Sequence, residues 1–227
     1  MYLEIWFKMD EDITIIDTNT RNEKIKNFFI KNKKNLVAVV SLIVFLLIVY
    51  FSFGEINKRN KIKLANLYNS IIINYNVLES VIDDKENIIK DLTYIINKKD
   101  KTYSPLALYF IIDNNLIDNR NEINKLFDIL IDETSLEPEI KNLVIYKKAL
   151  SNSDFINEND LISILKPIIN SESIWKSHAL YLIAEYFYSK NQKIKANEFY
   201  KKILVLSEIN TDIKVQTQKR LNRDINE

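Results

Sequence analysis

The feature that most constrains this chain is an uninterrupted apolar run from Leu36 to Phe53, LVAVVSLIVFLLIVYFSF. Its 18 residues include two serines and no charged side chain. As a helix, a run of this length extends about 27 Å, close to the thickness of the hydrocarbon layer of a bilayer. A buried core helix is the alternative, but it would need apolar partners on every side. The run therefore predicts a transmembrane helix, with Leu36, Phe45 and Phe53 among its anchor residues.

The flanks of this run argue against a cleaved signal peptide and predict an orientation. A signal peptide has a short basic start and small residues at its cleavage site, whereas here 35 residues come first and no such site follows. Basic residues are denser before the run (Arg21, Lys24, Lys26, Lys31, Lys33, Lys34) than after it (Lys58, Arg59, Lys61, Lys63). The positive-inside rule then predicts a cytoplasmic tail at 1–35 and an exported domain at 54–227.

Two further expectations concern the structure of the tail and the position of its first residue. Residues 10–30 are expected to be disordered or to form a short amphipathic helix, with Ile25, Phe28 and Phe29 near the membrane surface. The opening segment is more apolar than the sequence after it, and Met9 is an alternative start.

Composition removes most familiar kinds of catalytic and cofactor site. The chain has no cysteine, one histidine and one glycine, so thiolate metal sites, His–His metal pairs and glycine-rich phosphate loops are excluded. Its 32 Lys+Arg and 31 Asp+Glu give a formal net charge of +1, without the basic excess of a nucleic-acid binder. We therefore expect no cofactor, no metal, no nucleic acid and no small-molecule substrate.

Two groups of polar residues leave a hydrolase as the least favoured alternative. Carboxylates cluster at Asp83, Asp84 and Glu86, at Asp132 and Glu133, at Glu137 and Glu139, and at Glu158 and Asp160. These clusters lie at predicted helix ends, where capping and the helix dipole explain most acids, and the pair at 132–133 is expected to be solvated. His178 adjoins Ser177, but neighbouring helix residues do not face one another. We interpret His178 as a half-buried residue of a helix surface.

After Gly54 the apolar residues recur at three- and four-residue steps, the spacing of amphipathic helices, and no strand is indicated. The predicted helices cover 62–78, 83–98, 104–116, 121–133, 138–149, 157–169, 173–190, 193–207 and 211–226. Asp83 or Asp84 is expected to cap the second of these, and Ser104 to cap a helix that starts at Pro105. Pro138 opens another, and Pro167 is expected to kink or end its helix. The fold class is all-α.

Small residues recur along these helices at Ala65, Ala107, Ala149 and Ala184, 42, 42 and 35 residues apart. Each lies in the first helix of an apparent pair, and stacked pairs bury faces that one pair cannot bury alone. The segment from Ala179 to Leu204 resembles a tetratricopeptide repeat. Its large, large, small, aromatic, small and aromatic positions are held by Leu180, Ile183, Ala184, Phe187, Ala196 and Tyr200, whereas Ile203 and Glu208 depart from the motif. We predict an α-solenoid of tetratricopeptide-like pairs, with an ordinary helical bundle as the alternative.

A stack of helix pairs has a concave face lined by the first helices, and partners bind there. Tyrosine suits such a face because it combines rigid contact area with a polar tip. The candidate residues of a partner-binding groove are Tyr181, Glu185, Tyr188 and Tyr200. Arg220 and Arg223 fit a polar helix that covers the end of the stack.

The order of basic tail, single span and degenerate helix pairs ending in a good repeat resembles the ancillary SecYEG translocon subunit family. The resemblance runs from Arg21 to the end of the sequence, and the basic run, the span and the segment from Trp175 to Leu206 carry it. It implies a bacterial inner-membrane protein with a periplasmic tetratricopeptide domain and no catalytic activity. The implied partners are translocon subunits, a periplasmic chaperone or a translocating polypeptide. A scaffold for another envelope complex, at the outer membrane or the cell wall, is the alternative function.

Overall fold

A computed structural model describes residues 21–77 and 85–226, and within these ranges every regular element is a helix. Helix α1 covers residues 21–31. The others are α2 (Lys33–Val77), α3 (Lys85–Asn97), α4 (Tyr103–Asp113), α5 (Arg120–Asp128), α6 (Pro138–Asn152), α7 (Glu158–Ile169), α8 (Lys176–Ser189), α9 (Lys193–Leu204) and α10 (Thr211–Asn226). The all-α prediction is confirmed for this part of the chain.

The predicted transmembrane segment lies within α2. Its most apolar stretch has no buried residue: Phe45 is 61% exposed, Phe53 is 66% exposed and Leu36 is partly exposed. Among the described residues, one helix, near the N-terminus, is therefore long and apolar enough to cross a membrane.

The sequence predicted separate helices at 36–53 and 62–78, whereas the structure shows one helix through Gly54. A glycine inside a helix costs about 1 kcal/mol relative to alanine, which is too little to end a helix that continues on both sides. A Cβ at Gly54 would meet nothing within 4 Å, so no close approach requires the glycine. The segment that follows carries a favourable i,i+4 ion pair, with Arg59 Nε 2.9 Å from Glu55 Oε1.

The internal contacts divide the chain between Asn60 and Lys61. The second unit has two buried apolar clusters. Leu92, Ile111 and Phe127 belong to the first cluster, and Leu165, Ile183 and Tyr200 belong to the second. Helix α6 contributes adjacent residues to both, because Val144 is part of the first cluster and Ile145 is part of the second.

Most helices in this unit pack against a neighbour in sequence. The main contacts join α3 with α4, α6 with α7, α7 with α8, α8 with α9 and α9 with α10. The alanine spacing had placed α4 first in a pair with α5, but α4 packs chiefly against α3. Ala107, Ala149 and Ala184 are fully buried, as close helix approach requires, while Ala65 is half-buried.

In each of three tight turns, a residue other than glycine adopts the left-handed backbone conformation. Lys99 follows α3 with φ 54°, Asn115 follows α4 with φ 48°, and Asn191 follows α8 with φ 58°. This conformation usually favours glycine at helix C-termini, and asparagine is the residue that tolerates it next best. Because the chain's one glycine lies in α2, other residues end these helices.

The predicted cap of α4 is wrong. Ser104 is buried inside the first turn, where its hydroxyl donates to the Ile95 carbonyl at 2.8 Å and accepts from the Asp100 N–H at 2.9 Å. The Asp100 carboxylate instead accepts from the N–H groups of Thr102 and Tyr103 at 2.9 and 2.8 Å. Asp100 therefore supplies the N-terminal hydrogen bonds, and Pro105 still lies in the first turn, where a missing N–H costs nothing.

Other predicted helix ends are close to the observed ones. Pro138 is the first residue of α6, and Pro167 lies inside α7, which ends two residues later at Ile169. The predicted helix at 121–133 is α-helical only to Asp128 and continues as a π-helix from Ile129 to Glu133. The predicted caps Asp83 and Asp84 lie outside the described residues.

Candidate binding surfaces on helices α8 to α10

Helix α8 buries one face and presents polar groups along the next. Leu180, Ile183 and Phe187 are almost completely buried. Tyr181, Glu185 and Tyr188 are four and three residues apart, so they form one stripe, and each is half-buried. Three of the four predicted groove residues therefore share a strip of the α8 surface.

The fourth predicted groove residue, Tyr200 of α9, lies in the core beneath this stripe. It is fully buried, its ring lies 5.8 Å from the ring of Tyr181, and its hydroxyl donates a hydrogen bond to Glu185 Oε1. Burial, together with the hydrogen bond to Glu185, raises the pKa of Tyr200, so the phenol stays protonated. Tyr200 supports the stripe and has no surface of its own to offer.

Helix α10 binds the same stripe through Arg220. Its Nε and Nη2 donate to the two carboxylate oxygens of Glu185 at 2.8 and 2.6 Å. The guanidinium groups of Arg220 and Arg223 lie 5.2 and 4.8 Å from the ring centre of Tyr188. This bidentate pair, with two cations over one ring, ties α10 to α8.

The structure thus brings all four predicted groove residues together, in a network that the chain satisfies internally. Glu185 accepts hydrogen bonds from both Tyr200 and Arg220, so its carboxylate already has partners. Tyr181 and Tyr188 are half-buried, so part of each side chain is accessible to a partner. Binding of a partner there stays a prediction.

A concave site lies beside the start of α8, and we call it the α8–α10 pocket. It has a volume of about 350 Å³ and lies between the start of α8 and the turn that leads into α10. It is lined by Ile174, Trp175, His178, Glu208, Ile209 and Asn210. Asn210 caps α10, because its Oδ1 accepts from the N–H groups of Asp212 and Ile213 at 3.0 and 3.2 Å.

An aromatic cluster fixes one wall of this pocket. The Trp175 ring stacks on Tyr146 of α6 at 5.9 Å, and the His178 ring lies 5.1 Å from that of Trp175. Burial lowers the pKa of His178, with a smaller opposing effect from the Ile174 carbonyl, so the imidazole is neutral at pH 7. The prediction of a half-buried histidine on a helix surface is confirmed.

The sequence missed this pocket because its residues are far apart in the chain. Tyr146 and the turn at 208–210 lie on opposite sides of Trp175 in sequence, and no local pattern joins them. One sign was present: Glu208 is where the repeat motif fails, so an irregular turn was to be expected there.

Within the described residues, three carboxylates of the predicted clusters have partners in the chain. Glu133 lies 2.6 Å from Lys99 Nζ, Glu158 lies 3.0 Å from Lys195 Nζ, and Glu139 accepts from the Ser173 hydroxyl at 2.8 Å. Asp132 and Glu133 are both exposed, as predicted for a solvated pair, and Glu133 also forms an exposed ion pair with Lys99. Over the described ranges, no group of three or more His, Asp or Glu side chains could hold a metal ion.

Comparison with known proteins finds no relative. No protein-family model, no curated protein and no solved structure matches the chain. Its function has to be inferred from its residues and their geometry.

Proposed function

We propose that this chain is a membrane-anchored, non-catalytic protein-interaction module of the bacterial cell envelope. In this proposal it assists export at the Sec translocon, together with periplasmic chaperones. The observation that carries the proposal is the apolar surface of α2, which is exposed all round and contains no charge between Leu36 and Phe53. Exposing such a surface to water is unfavourable in free energy, whereas the hydrocarbon layer of a bilayer is as apolar as the surface itself.

The order of helix contacts supports a tetratricopeptide-like domain. Besides packing on its sequence neighbours, α8 contacts α6 before it and α10 after it, as alternate helices do in a stack of pairs. Within the pair α8–α9 the six motif positions are all buried, including Ala184 and Ala196 where the helices approach closely. Such a stack offers an extended surface for polypeptides and needs no reacting groups.

A membrane anchor makes weak binding by this surface useful. Tethering raises the effective concentration of two modules held at the same bilayer, so a modest affinity suffices for association. The accessible parts of Tyr181 and Tyr188 suit such a contact, since tyrosine loses little conformational entropy when it binds. The mechanism is binding at the membrane surface, without chemistry.

The orientation is tested by topology mapping. A reporter that is active only outside the cytoplasm, fused after Glu227, is expected to be active, because the basic residues before α2 favour a cytoplasmic tail. A reporter that is active only in the cytoplasm, fused at the same position, is expected to be inactive. An active cytoplasmic fusion would overturn both the exported location and the Sec proposal.

The partner is tested by site-specific crosslinking in cells. A photo-reactive residue at Tyr181 or Tyr188 is expected to crosslink to a translocon subunit, a periplasmic chaperone or a polypeptide in transit, while the same residue at Lys166 of α7 serves as the control. Crosslinks from the two tyrosine positions to outer-membrane or cell-wall machinery would instead support the alternative envelope scaffold. Equal crosslinking from all three positions would contradict the assignment of this surface.

A further inference from the structure

We propose that the α8–α10 pocket binds the arginine side chain of a partner polypeptide. The inference rests on the proposed function in one respect, since it takes the ligand to be a polypeptide. It concerns a different surface from the stripe of Tyr181, Glu185 and Tyr188, which Arg220 already engages.

The size of the pocket fits one long side chain. At about 350 Å³ it is at the small end of the range of about 300 to 1,000 Å³ found for ligand pockets, which leaves room for one long side chain. Its two segments are connected through Asn210. The Asn210 N–H donates to Ser177 Oγ at 3.4 Å, and the Asn210 side chain caps α10. The walls are therefore preformed, which lowers the cost of binding.

The walls match the two parts of an arginine side chain. Ile174 and Ile209 offer apolar surface for its methylene stem, and Ile174 is exposed to solvent. Trp175 offers an aromatic surface, and a planar guanidinium group stacks on aromatic rings better than an ammonium group does. The stacked ring of Tyr146 holds Trp175 in place from α6.

The charges around the pocket favour a cation. Glu208 lines the pocket, its side chain is exposed, and among the described residues it has no ion-pair partner. His178 is neutral and adds no positive charge at pH 7. The nearby Lys176 lies 4.0 Å from Glu172, which offsets its charge. An arginine over Trp175 would therefore donate charge-assisted hydrogen bonds to the one free carboxylate of the site.

The test uses the full chain in lipid nanodiscs, with Trp6→Phe so that Trp175 is the one tryptophan left. A peptide Ala-Ala-Arg-Ala-Ala with blocked ends is titrated while the Trp175 emission is recorded. We expect a saturable change. The same peptide with citrulline, which keeps the shape and lacks the charge, is expected to bind about tenfold more weakly.

Two variants make the assignment specific. Glu208→Gln is expected to weaken binding of the arginine peptide about tenfold and to leave the citrulline peptide unchanged. Glu198→Gln, an equally conservative change at an exposed acid of α9 that does not line the pocket, is expected to leave both affinities unchanged.

The proposal is overturned if the two peptides bind equally, or if the arginine peptide leaves the Trp175 emission unchanged up to millimolar concentration. It is also overturned if Glu198→Gln has the same effect as Glu208→Gln. These outcomes leave the proposed function untouched, because that is tested by crosslinking from Tyr181 and Tyr188. Conversely, an arginine-dependent signal without any crosslinked partner would refute the proposed function and keep the arginine site.

Discussion

Two helices of this chain are rich in apolar residues and place them in opposite environments. In α8, Lys176–Ser189, the residues Leu180, Ile183 and Phe187 are almost fully buried. In α2, Lys33–Val77, the apolar residues of the segment 36–53 are exposed around the whole circumference. Both are mainly apolar, but α8 also carries charged side chains, Lys176 and Glu185, and the segment 36–53 carries none.

The difference lies in how polar residues are spaced. Helix α8 interrupts its apolar residues with a stripe that includes Glu185 and Tyr188, so one face can be buried by α9 while the other meets water and α10. The segment 36–53 has no such stripe and therefore no preferred side for burial. A helix with apolar residues on one side buries that side against another part of the protein. A helix that is apolar on all sides is instead suited to the hydrocarbon layer of a membrane.

The largest effect is expected on membrane insertion, when charges are placed in the segment 36–53. Phe45→Lys with Leu46→Lys puts two lysines at the centre of the run, and each costs about 2.5 to 3.5 kcal/mol for insertion into a bilayer. The chain should then be recovered in the soluble or carbonate-extractable fraction, as measured by membrane fractionation.

The matched control uses exposed apolar residues of the second unit. Ile194 and Val205 are 81% and 83% exposed, and lysine at both positions should leave membrane recovery unchanged. If the two double variants fractionate alike, α2 is an ordinary water-exposed helix and the comparison fails.

A smaller effect is expected in the core of α8. Ile183→Ala leaves a cavity at a fully buried position, and such changes lower the free energy of unfolding by about 2 to 5 kcal/mol. Chemical denaturation followed by circular dichroism measures it. Ile194→Ala, at an exposed position, should change the unfolding free energy by less than about 0.5 kcal/mol. Equal effects of the two changes would show that α8 is not packed as described.

The polar stripe of α8 should contribute less than its apolar face. Glu185→Gln removes the bidentate pair with Arg220, and we expect a loss of about 1 to 3 kcal/mol in unfolding free energy. A cycle with Arg220→Met measures the coupling, which should be clearly above zero. Glu198→Gln, at an exposed position of α9, is the control. Additive single and double variants would mean that α10 is not held by this pair.

The smallest effect concerns pH and His178. Its folded pKa is lowered from 6.5 by burial, so below that pH the unfolded chain binds more protons than the folded chain. The stability that comes from the neutral, buried imidazole is therefore fully present above the unfolded pKa, and it is lost as the pH falls below about 6.5. Because His178 is the one histidine in the chain, His178→Gln should flatten the slope of unfolding free energy between about pH 7 and 5.5. An unchanged slope in the variant would contradict the burial of this imidazole.

Much of the fold followed from the sequence because helices leave local patterns. The apolar run of α2, the start of α6 at Pro138 and the spacing of Leu180, Ile183 and Phe187 are all local, and the structure agrees with them. The pattern failed where two local preferences compete. Ser104 is a good cap by type, but Asp100 takes that role, and Gly54 was too weak a breaker to end α2.

The candidate sites were harder to predict because they depend on contacts between distant residues. The stripe at Tyr181, Glu185 and Tyr188 was found from helix spacing, yet its pairing with Arg220 depends on how α10 folds back. The stacking of Trp175 on Tyr146 joins α8 to α6, and nothing near either residue indicates the other. Tyr200 was correctly placed near the other candidate residues, but its burial in the core follows from three-dimensional packing.

The two adjacent residues of α6 that serve different clusters have a consequence for cooperativity. Val144 and Ile145 are neighbours on one rigid helix, so a movement of α6 that frees one side chain also disturbs the other. A linear array of repeats can melt piecemeal from its ends. Here the shared helix links both clusters, and the two halves of the second unit should lose their structure in a single thermal transition.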